Sequence, residues 1–316
     1  MSAAENLRRP QIDGLRCILF IVVFCVHYAP DPMRLGHFGY ALPVFFVMSG
    51  FVITQVLLSA DHLPLGERLR VFYIRRFLRI VPVYFLVLFP MIALGLIAYP
   101  AWYVSYLVNI KLFLLSLDPS FTQFNAWFAH AWRHESWHFW SLSVEEQFYI
   151  VFPLALYLAP ARHRVAMMIC LVVASIAVHV FFIRYLPNSF YGALLPVCME
   201  YFAWGAAFSL LEARKRLGAL NASWTFALSW AAILLTIGVQ SWRDNPGVLQ
   251  FVTKLYQTPI ALALGFMIWA LWSLPREHPV TRFLSFRPFV YLGEISYTCY
   301  LVHLVALDIF LATGLQ

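Results

Sequence analysis

Two ionisable side chains near the start of the chain, Arg16 and His27, are separated by ten mostly apolar residues. Eleven residues of an α-helix rise about 16 Å and return to within about 20° of the starting direction. The two side chains therefore share one face, about half a bilayer apart. Ionisable groups on a membrane helix usually point into a protein interior or a water-filled cavity. The alternative is that both only snorkel to the membrane interfaces, which does not require a shared face.

Three further arginines, Arg75, Arg76 and Arg79, stand where a later apolar stretch begins. One interpretation is a positive-inside anchor at the cytoplasmic interface. The other is an anion site, because guanidinium groups match phosphate oxygens and bind them well in a dehydrated cavity mouth. Together with Arg16, these arginines would surround a polyphosphate.

Two adjacent carboxylates, Glu145 and Glu146, stand at the outer end of another apolar stretch. Ser143 and Glu146 have the spacing of a capping box, which gives Glu146 a structural role. Glu145 has no such role, and an unpaired carboxylate inside a membrane is costly. A partner such as a histidine or an arginine is therefore expected for Glu145. Because Glu145 and His27 are expected at similar depth, a Glu145–His27 pair is one candidate.

Two other groups of polar residues interrupt apolar stretches. Ser49 and Gly50 either allow two helices to pack closely or line a cavity. Ser296, Tyr300 and His303 fall on one helical stripe near the end of the chain. His303 is then a second buried histidine, which serves either the chemistry or a structural hydrogen bond.

The sequence predicts no metal site and no disulfide framework. His130, His134 and His138 recur every four residues, but no acidic or cysteine signature accompanies them. The five cysteines lie in apolar stretches without CxxC spacing. The chain also lacks a P-loop, a GxSxG elbow, an HExxH motif and a dinucleotide fingerprint.

The composition is that of a polytopic membrane protein. Of the 316 residues 62% are hydrophobic and only 12% are charged, and the mean hydropathy is +0.75, whereas soluble domains are about half apolar and a quarter charged. The net charge of +7 comes from basic residues in particular loops. It therefore reports topology and not nucleic-acid binding.

Apolar runs predict an all-α bundle with about nine spans, in one membrane domain that covers residues 1–316. If the aromatic run at 101–117 does not cross, every basic loop falls on the side of the N-terminus, which is then cytoplasmic. Residues 99–140 become an external, partly re-entrant segment. Its many aromatic residues suit either an interfacial belt or stacking on sugar rings. The predicted spans are 14–30, 40–58, 78–98, 141–158, 165–185, 191–211, 222–240, 256–273 and 289–312.

These residues together resemble the membrane-embedded acyltransferases of the acyltransferase-3 type, which O-acetylate cell-surface polysaccharides, lipopolysaccharide and nodulation factors. The resemblance covers most of the chain, in five blocks of family-like order and separation. They are Asp13-Gly14-Leu15-Arg16-x10-His27, Phe45-Phe46-x-x-Ser49-Gly50, Arg75-Arg76-x-x-Arg79-Ile80, Trp140-Ser141-Leu142-Ser143-Val144-Glu145-Glu146-Gln147-Phe148-Tyr149, and Ile295-Ser296-Tyr297-x-x-Tyr300-Leu301-x-His303.

The resemblance implies transfer of an acyl group, usually acetyl, from cytoplasmic acetyl-CoA to a hydroxyl of a cell-surface glycan or glycolipid. His27 would be the catalytic base, with Glu145 orienting its imidazole. The donor phosphates would be held by four arginines, and six further residues would contact the substrates. The arginines are Arg16, Arg75, Arg76 and Arg79, and the other six are Ser49, Trp140, Ser296, Tyr297, Tyr300 and His303.

The resemblance also sets the expected cellular context. The chain would lie in a bacterial cytoplasmic (inner) membrane and act in the biosynthesis of exopolysaccharide or lipopolysaccharide. Its partners would be the bilayer, acyl-CoA and a glycan acceptor, with neither a metal nor a nucleic acid. Family members typically have ten spans, so a count of nine leaves the last family helix without a counterpart in this sequence.

A transporter or flippase for a glycolipid or an anion is the alternative function, because buried Arg, His and Glu residues also mark transport pathways. Against transport, the sequence has no inverted repeat and no paired broken helices in corresponding halves. Hydrolysis of acyl-CoA that depends on His27 would favour the enzyme. Substrate flux without acyl chemistry would favour transport.

Overall fold

The computed structural model describes residues 9–28, 41–118, 138–241 and 257–312, and for residues 28, 239–241 and 307–312 the backbone only. Every regular element within these ranges is a helix, which confirms the all-α class. Short 3-10 helices lie at Ala161–His163 and Tyr191–Ala193. The α-helices are α1 (Pro10–Tyr28), α2 (Ala41–Ser59), α3 (Leu65–Ala93), α4 (Pro100–Val104), α5 (Val108–Leu115), α6 (Phe139–Leu158), α7 (Arg164–Tyr185), α8 (Leu195–Ala213), α9 (Ala222–Ser241), α10 (Gln257–Ser273), α11 (Pro279–Leu284), α12 (Arg287–Glu294) and α13 (Ser296–Ala312).

The nine predicted spans all coincide with helices, and the last coincides with two, α12 and α13. These two bend by 71° at the break between them, and together they are apolar enough for a fifth membrane crossing among the described residues. The third span differs most from its prediction, because α3 begins at Leu65 and carries its arginines inside the helix. In the described part of the chain, four segments are each long and apolar enough to cross a bilayer alone: Pro10–His27, Ala41–Ser59, Leu65–Ala93 and Ala161–Tyr185.

Large apolar side chains cover the outer surface of the bundle. Leu86 of α3 is 74% exposed, Val173 of α7 is 60% exposed and Leu235 of α9 is 70% exposed. Apolar surface of this extent marks a membrane-facing protein, because lipid chains, unlike water, accommodate it without cost. The chain is therefore an integral membrane protein.

Two glycines bring α2 and α8 into backbone contact at the centre of the bundle. A Cβ atom on Gly50 would meet the backbone of Phe202, and one on Gly205 would meet the backbone of Val47. The close approach is reciprocal, since each helix supplies one glycine. Gly50 therefore has the packing role that was one of its two interpretations.

A second pair of glycines fixes the start of α1. A Cβ on Gly14 would meet the carbonyl of Leu284 at the end of α11, and one on Gly293 of α12 would meet the carbonyl of Asp13. The short helices α11 and α12 thus pack directly on the first turns of α1. This contact fixes the position of Arg16, which follows Gly14 by two residues.

An ion-pair cluster closes the end of the bundle where α2 is followed by α3. Asp61 accepts hydrogen bonds from Nη1 of Arg68 and Nη1 of Arg164, each at 2.8 Å. Arg164 begins α7, and its side chain is only 7% exposed. Two arginines of the basic loops are therefore structural, because they join the α2–α3 turn to α7.

Candidate active site

A polar cavity of about 470 Å³ lies where α1 and α3 meet α10 and α12. Charged side chains dominate its wall, and one of its arginines, Arg16, is paired with Asp13 at 2.7 Å. We call this cavity the polar chamber. It is lined by Arg9, Ile12, Asp13, Arg16, Val52, Val56, Arg76, Arg79, Trp272 and Glu294.

A smaller cavity of about 110 Å³ continues from the polar chamber, with which it shares Arg16, Arg76, Arg79 and Glu294. Its wall is mainly apolar, and we call it the apolar passage. Four of the residues predicted to contact substrates line it. They are Ser49, Ser296, Tyr297 and Tyr300.

Glu145 lies in the wall of the apolar passage. It accepts a hydrogen bond from the Ser49 hydroxyl at 3.1 Å and one from the Tyr149 hydroxyl at 3.2 Å. The guanidinium of Arg76 stands 4.6 Å above the Tyr149 ring. The candidate Glu145–His27 pair is therefore wrong, because α6 directs Glu145 toward α2 and the arginines.

The partner of His27 is His303. The Nδ1 atom of His27 lies 3.3 Å from Nε2 of His303, and Nδ1 of His303 lies 2.6 Å from the backbone carbonyl of Tyr300. A third histidine, His138, points its Nε2 atom at the same carbonyl at 3.1 Å, and its ring stands 4.8 Å from that of His303. We call His27, His138 and His303 the histidine cluster.

Tyr300 joins the apolar passage to the histidine cluster. Its ring lines the passage, while its carbonyl binds two of the histidines. The Tyr300 hydroxyl lies 2.8 Å from the Ser141 hydroxyl and donates to the carbonyl of His138 at 2.9 Å. The passage thus ends one side chain away from the cluster.

Arg16 and His27 do face the same side of α1. Phe20, one turn after Arg16, lines the apolar passage beside it. The Phe20 ring also contacts the ring of His303 edge-on at 6.2 Å, and His303 in turn contacts His27. The helix therefore presents Arg16 to the chamber and His27 to the cluster along one face.

Two predicted site residues lie elsewhere. Arg75 is exposed and lines a third cavity, of about 210 Å³, which shares Arg76 and Arg79 with the polar chamber. Trp140 is buried edge-on against Phe46 and Phe190, and it lines none of the three cavities. Neither residue is brought to the chamber or the passage.

The predicted capping box is also wrong. The helix α6 begins at Phe139, so Ser143 lies inside it, and its hydroxyl donates to the carbonyl of Phe139 at 3.2 Å. Ser143 therefore caps nothing, and Glu146 belongs to the second turn of the helix.

In the part of the chain that the structure describes, no group of three or more His, Cys, Asp or Glu side chains is arranged so that it could hold a metal ion. His130 and His134 lie outside that part. In the sequence, His138 was notable only because it follows His130 and His134 at intervals of four residues. The sequence analysis missed its place in the histidine cluster, although it stands two residues before Trp140, the first residue of a block that carried the resemblance.

Comparison with known proteins places the chain among acyltransferases. A family model described as an acyltransferase domain matches residues 9–314. The chain is 27% identical to "Peptidoglycan O-acetyltransferase OatA" of Listeria monocytogenes over 93% of the chain and 48% of that protein. It is 26% identical to "O-acetyltransferase OatA" of Staphylococcus aureus over 93% of the chain and 50% of that protein.

A shorter match, 29% identical over 54% of the chain and 27% of the relative, is to the "Putative peptidoglycan O-acetyltransferase YrhL" of Bacillus subtilis. The chain spans about half the length of the curated relatives that it matches over 93% of its own length. No solved structure matches it.

Proposed function

This chain belongs to the acyltransferase-3 family, and we propose that it moves an acetyl group from acetyl-CoA to a hydroxyl of a cell-envelope glycan. One observation carries the proposal: the polar chamber continues into an apolar passage that ends at Tyr300 and the histidine cluster. Acetyl-CoA is built in the same order, because it has charged phosphates at one end and a less polar arm that ends in the thioester at the other. Its extended arm is comparable to the rise of about 16 Å between Arg16 and His27.

The arginines that serve the donor are those shared by the chamber and the passage. Arg16, Arg76 and Arg79 stand at the junction of the two cavities. Guanidinium groups bind phosphate oxygens with paired hydrogen bonds, and more strongly where water is scarce. Arg75 is assigned no part in donor binding, because it lines neither the chamber nor the passage.

The hydrogen bonds of the histidine cluster support one tautomer of His27. A carbonyl oxygen only accepts, so the carbonyl of Tyr300 requires a proton on Nδ1 of His303. In neutral His303 the Nε2 atom is then an acceptor, and Nδ1 of His27 carries the proton between the two rings. His27 consequently has its lone pair on Nε2, which makes it a general base.

The reaction follows from that arrangement. The acceptor oxygen attacks the thioester carbonyl carbon while His27 takes the hydroxyl proton. A carbon–oxygen bond forms, the carbon–sulfur bond breaks, and the proton passes from His27 to the departing thiolate of CoA. The Tyr300 hydroxyl, in the wall of the passage, donates to the carbonyl of His138. When the donor is bound, we propose that it turns this proton to the thioester oxygen and stabilises the negative charge there.

His303 takes the orienting role that the sequence gave to Glu145. A buried acceptor beside the imidazole fixes its tautomer and stabilises the ring in one orientation, as the carboxylate does in a hydrolase triad. Glu145 instead holds Ser49 and Tyr149 in the wall of the passage. It also balances the charge of the nearby Arg76, whose guanidinium lies over Tyr149.

The acceptor is proposed from the relatives. Two of the three named above are described as peptidoglycan O-acetyltransferases, one of them putative. Peptidoglycan is therefore the first acceptor to test, and lipopolysaccharide and exopolysaccharide are the next. The proposed orientation has the N-terminus in the cytoplasm, which puts the arginines on the side where acetyl-CoA is made.

The proposal is tested by incubating membranes that contain the protein with labelled acetyl-CoA and separated envelope glycans. We expect label in a glycan fraction from the intact protein, none from His27→Ala, and strongly reduced label from Arg76→Ala. The matched control is Arg70→Ala, an exposed arginine of the same helix that lines none of the three cavities. It is expected to retain the intact activity.

Two results would contradict the proposal. Label that persists in correctly inserted His27→Ala removes His27 from the reaction. Movement of a glycolipid or anion across the membrane, with no acetyl transfer under any condition, favours the transport alternative.

A further inference from the structure

Arg9 and Trp272 lie together in the polar chamber and take no part in the reaction above. The guanidinium carbon of Arg9 lies 5.1 Å from the centre of the Trp272 ring, and Phe51 supports that ring at 5.3 Å. The Nε atom of Arg9 is buried without a hydrogen-bond partner among the described residues. A buried hydrogen-bond donor without an acceptor is unfavourable. A ligand that offers an acceptor to Nε of Arg9 would therefore be stabilised here.

The charges of the chamber indicate what kind of ligand that is. Among the described residues, its lining includes four guanidinium groups and the carboxylates of two residues, Asp13 and Glu294. Asp13 is engaged by Arg16 at 2.7 Å. Partly buried cations in excess favour an anion that carries several negative charges.

The shapes of the two cavities indicate how that ligand is built. The polar chamber, at about 470 Å³, has a larger volume than the apolar passage, at about 110 Å³. A large polar cavity that continues into a smaller apolar one suits a molecule with a bulky anionic head and a thin arm. The Arg9–Trp272 pair adds a planar surface of the kind on which nucleobases stack.

We propose that the polar chamber binds the phosphorylated adenosine end of the acyl-CoA donor, with the adenine ring packed on the Arg9–Trp272 pair. The phosphates of the head face Arg16, Arg76 and Arg79, where the chamber meets the passage. This assignment depends on the proposed acetyl transfer. It adds two residues to the donor site and makes the nucleotide itself a recognised part of the donor.

The experiment compares two donors, acetyl-CoA and S-acetyl-4′-phosphopantetheine, which keeps the arm and one phosphate but lacks the adenosine and the other two phosphates. The intact protein is expected to have a KM at least about tenfold lower for acetyl-CoA, since one base–aromatic stack contributes roughly that factor. Trp272→Ala is expected to raise the KM for acetyl-CoA about tenfold and to leave that for the truncated donor unchanged. Arg9→Gln is expected to act in the same direction.

The control is Trp224→Ala, which removes a tryptophan that is 70% exposed and lines none of the three cavities. The comparison of donors on the intact protein needs no variant, so it stands even if Trp272→Ala fails to fold. Equal KM values for the two donors on the intact protein would overturn the chamber assignment and leave the proposed function in place. Failure to transfer acetyl from either donor would instead refute the proposed function.

Discussion

The glycine contact between α2 and α8 makes a prediction whose size the structure defines. In Gly50→Ala, the new Cβ would lie 2.8 Å from the carbonyl carbon of Phe202 and 2.9 Å from its Cα. Carbon atoms in contact normally stand about 3.5–4.0 Å apart. Because both obstacles are backbone atoms, no side chain can move aside, and the two helices must separate by about 1 Å.

That separation is expected to lower the free energy of unfolding by about 1–3 kcal/mol, the usual cost of overpacking a close-packed interior. The contact of Gly205 with Val47, on the same pair of helices, would loosen with it. Activity is expected to fall as well, because Ser49 precedes Gly50 and donates to Glu145 at 3.1 Å. The substitution therefore links stability to the shape of the apolar passage.

The assay is thermal unfolding in detergent at one fixed scan rate, with Gly66→Ala as the matched control. Gly66 lies in the first turn of α3 with nothing within 4 Å of an added Cβ. Alanine is the better helix former by up to about 1 kcal/mol, so this control is expected to be unchanged or slightly stabilised. If the Gly50→Ala protein had the same melting temperature as the Gly66→Ala protein, the packing argument would be refuted.

Three further predictions concern the ends of the site. Asp61→Ala is expected to lower the free energy of unfolding by about 1–3 kcal/mol, because it removes the ion-pair partner of the Arg164 side chain, which is only 7% exposed. The Asp61 side chain is 37% exposed, so solvent screens part of this loss. A melting temperature equal to that of the intact protein would contradict this prediction. Tyr300→Phe removes the hydroxyl that is hydrogen-bonded to Ser141 at 2.8 Å. It is expected to lower kcat about 100-fold with little change in the KM for acetyl-CoA. A change in KM alone would instead indicate that Tyr300 binds the donor. His303→Ala is expected to lower kcat by about 10- to 100-fold, as loss of an orienting partner does, and kinetics like those of the intact protein would show that His27 needs no such partner.

The positions of the helices followed from the sequence because hydropathy records which segments leave water. The shared face of Arg16 and His27 followed too, since both belong to one helix of known geometry. The start of α3 did not, because its arginines lower the local hydropathy without breaking the helix. The prediction of a cap at Ser143 was wrong because α6 begins at Phe139, five residues before the start that such a cap requires.

The residue that contacts His27 could not be predicted from hydropathy and helix geometry. Sequence spacing estimates how deep a residue lies in the membrane, and by depth Glu145 was suitable. It does not say which helices are neighbours, or toward which of them a given face is turned. The contacts of α13 with α1 bring His303 to His27, while α6 turns Glu145 toward Ser49 of α2.

The most direct test of the central claim measures the sides of the membrane on which donor and acceptor react. Sealed vesicles of known orientation are loaded with acceptor glycan, and labelled acetyl-CoA is supplied only outside. Inverted vesicles, with the arginines outward, are expected to acetylate the enclosed glycan, and right-side-out vesicles and inverted His27→Ala vesicles are expected not to. Acetylation by right-side-out vesicles, or acetylation only when donor and acceptor share one side, would contradict a path that runs from the polar chamber to the histidine cluster.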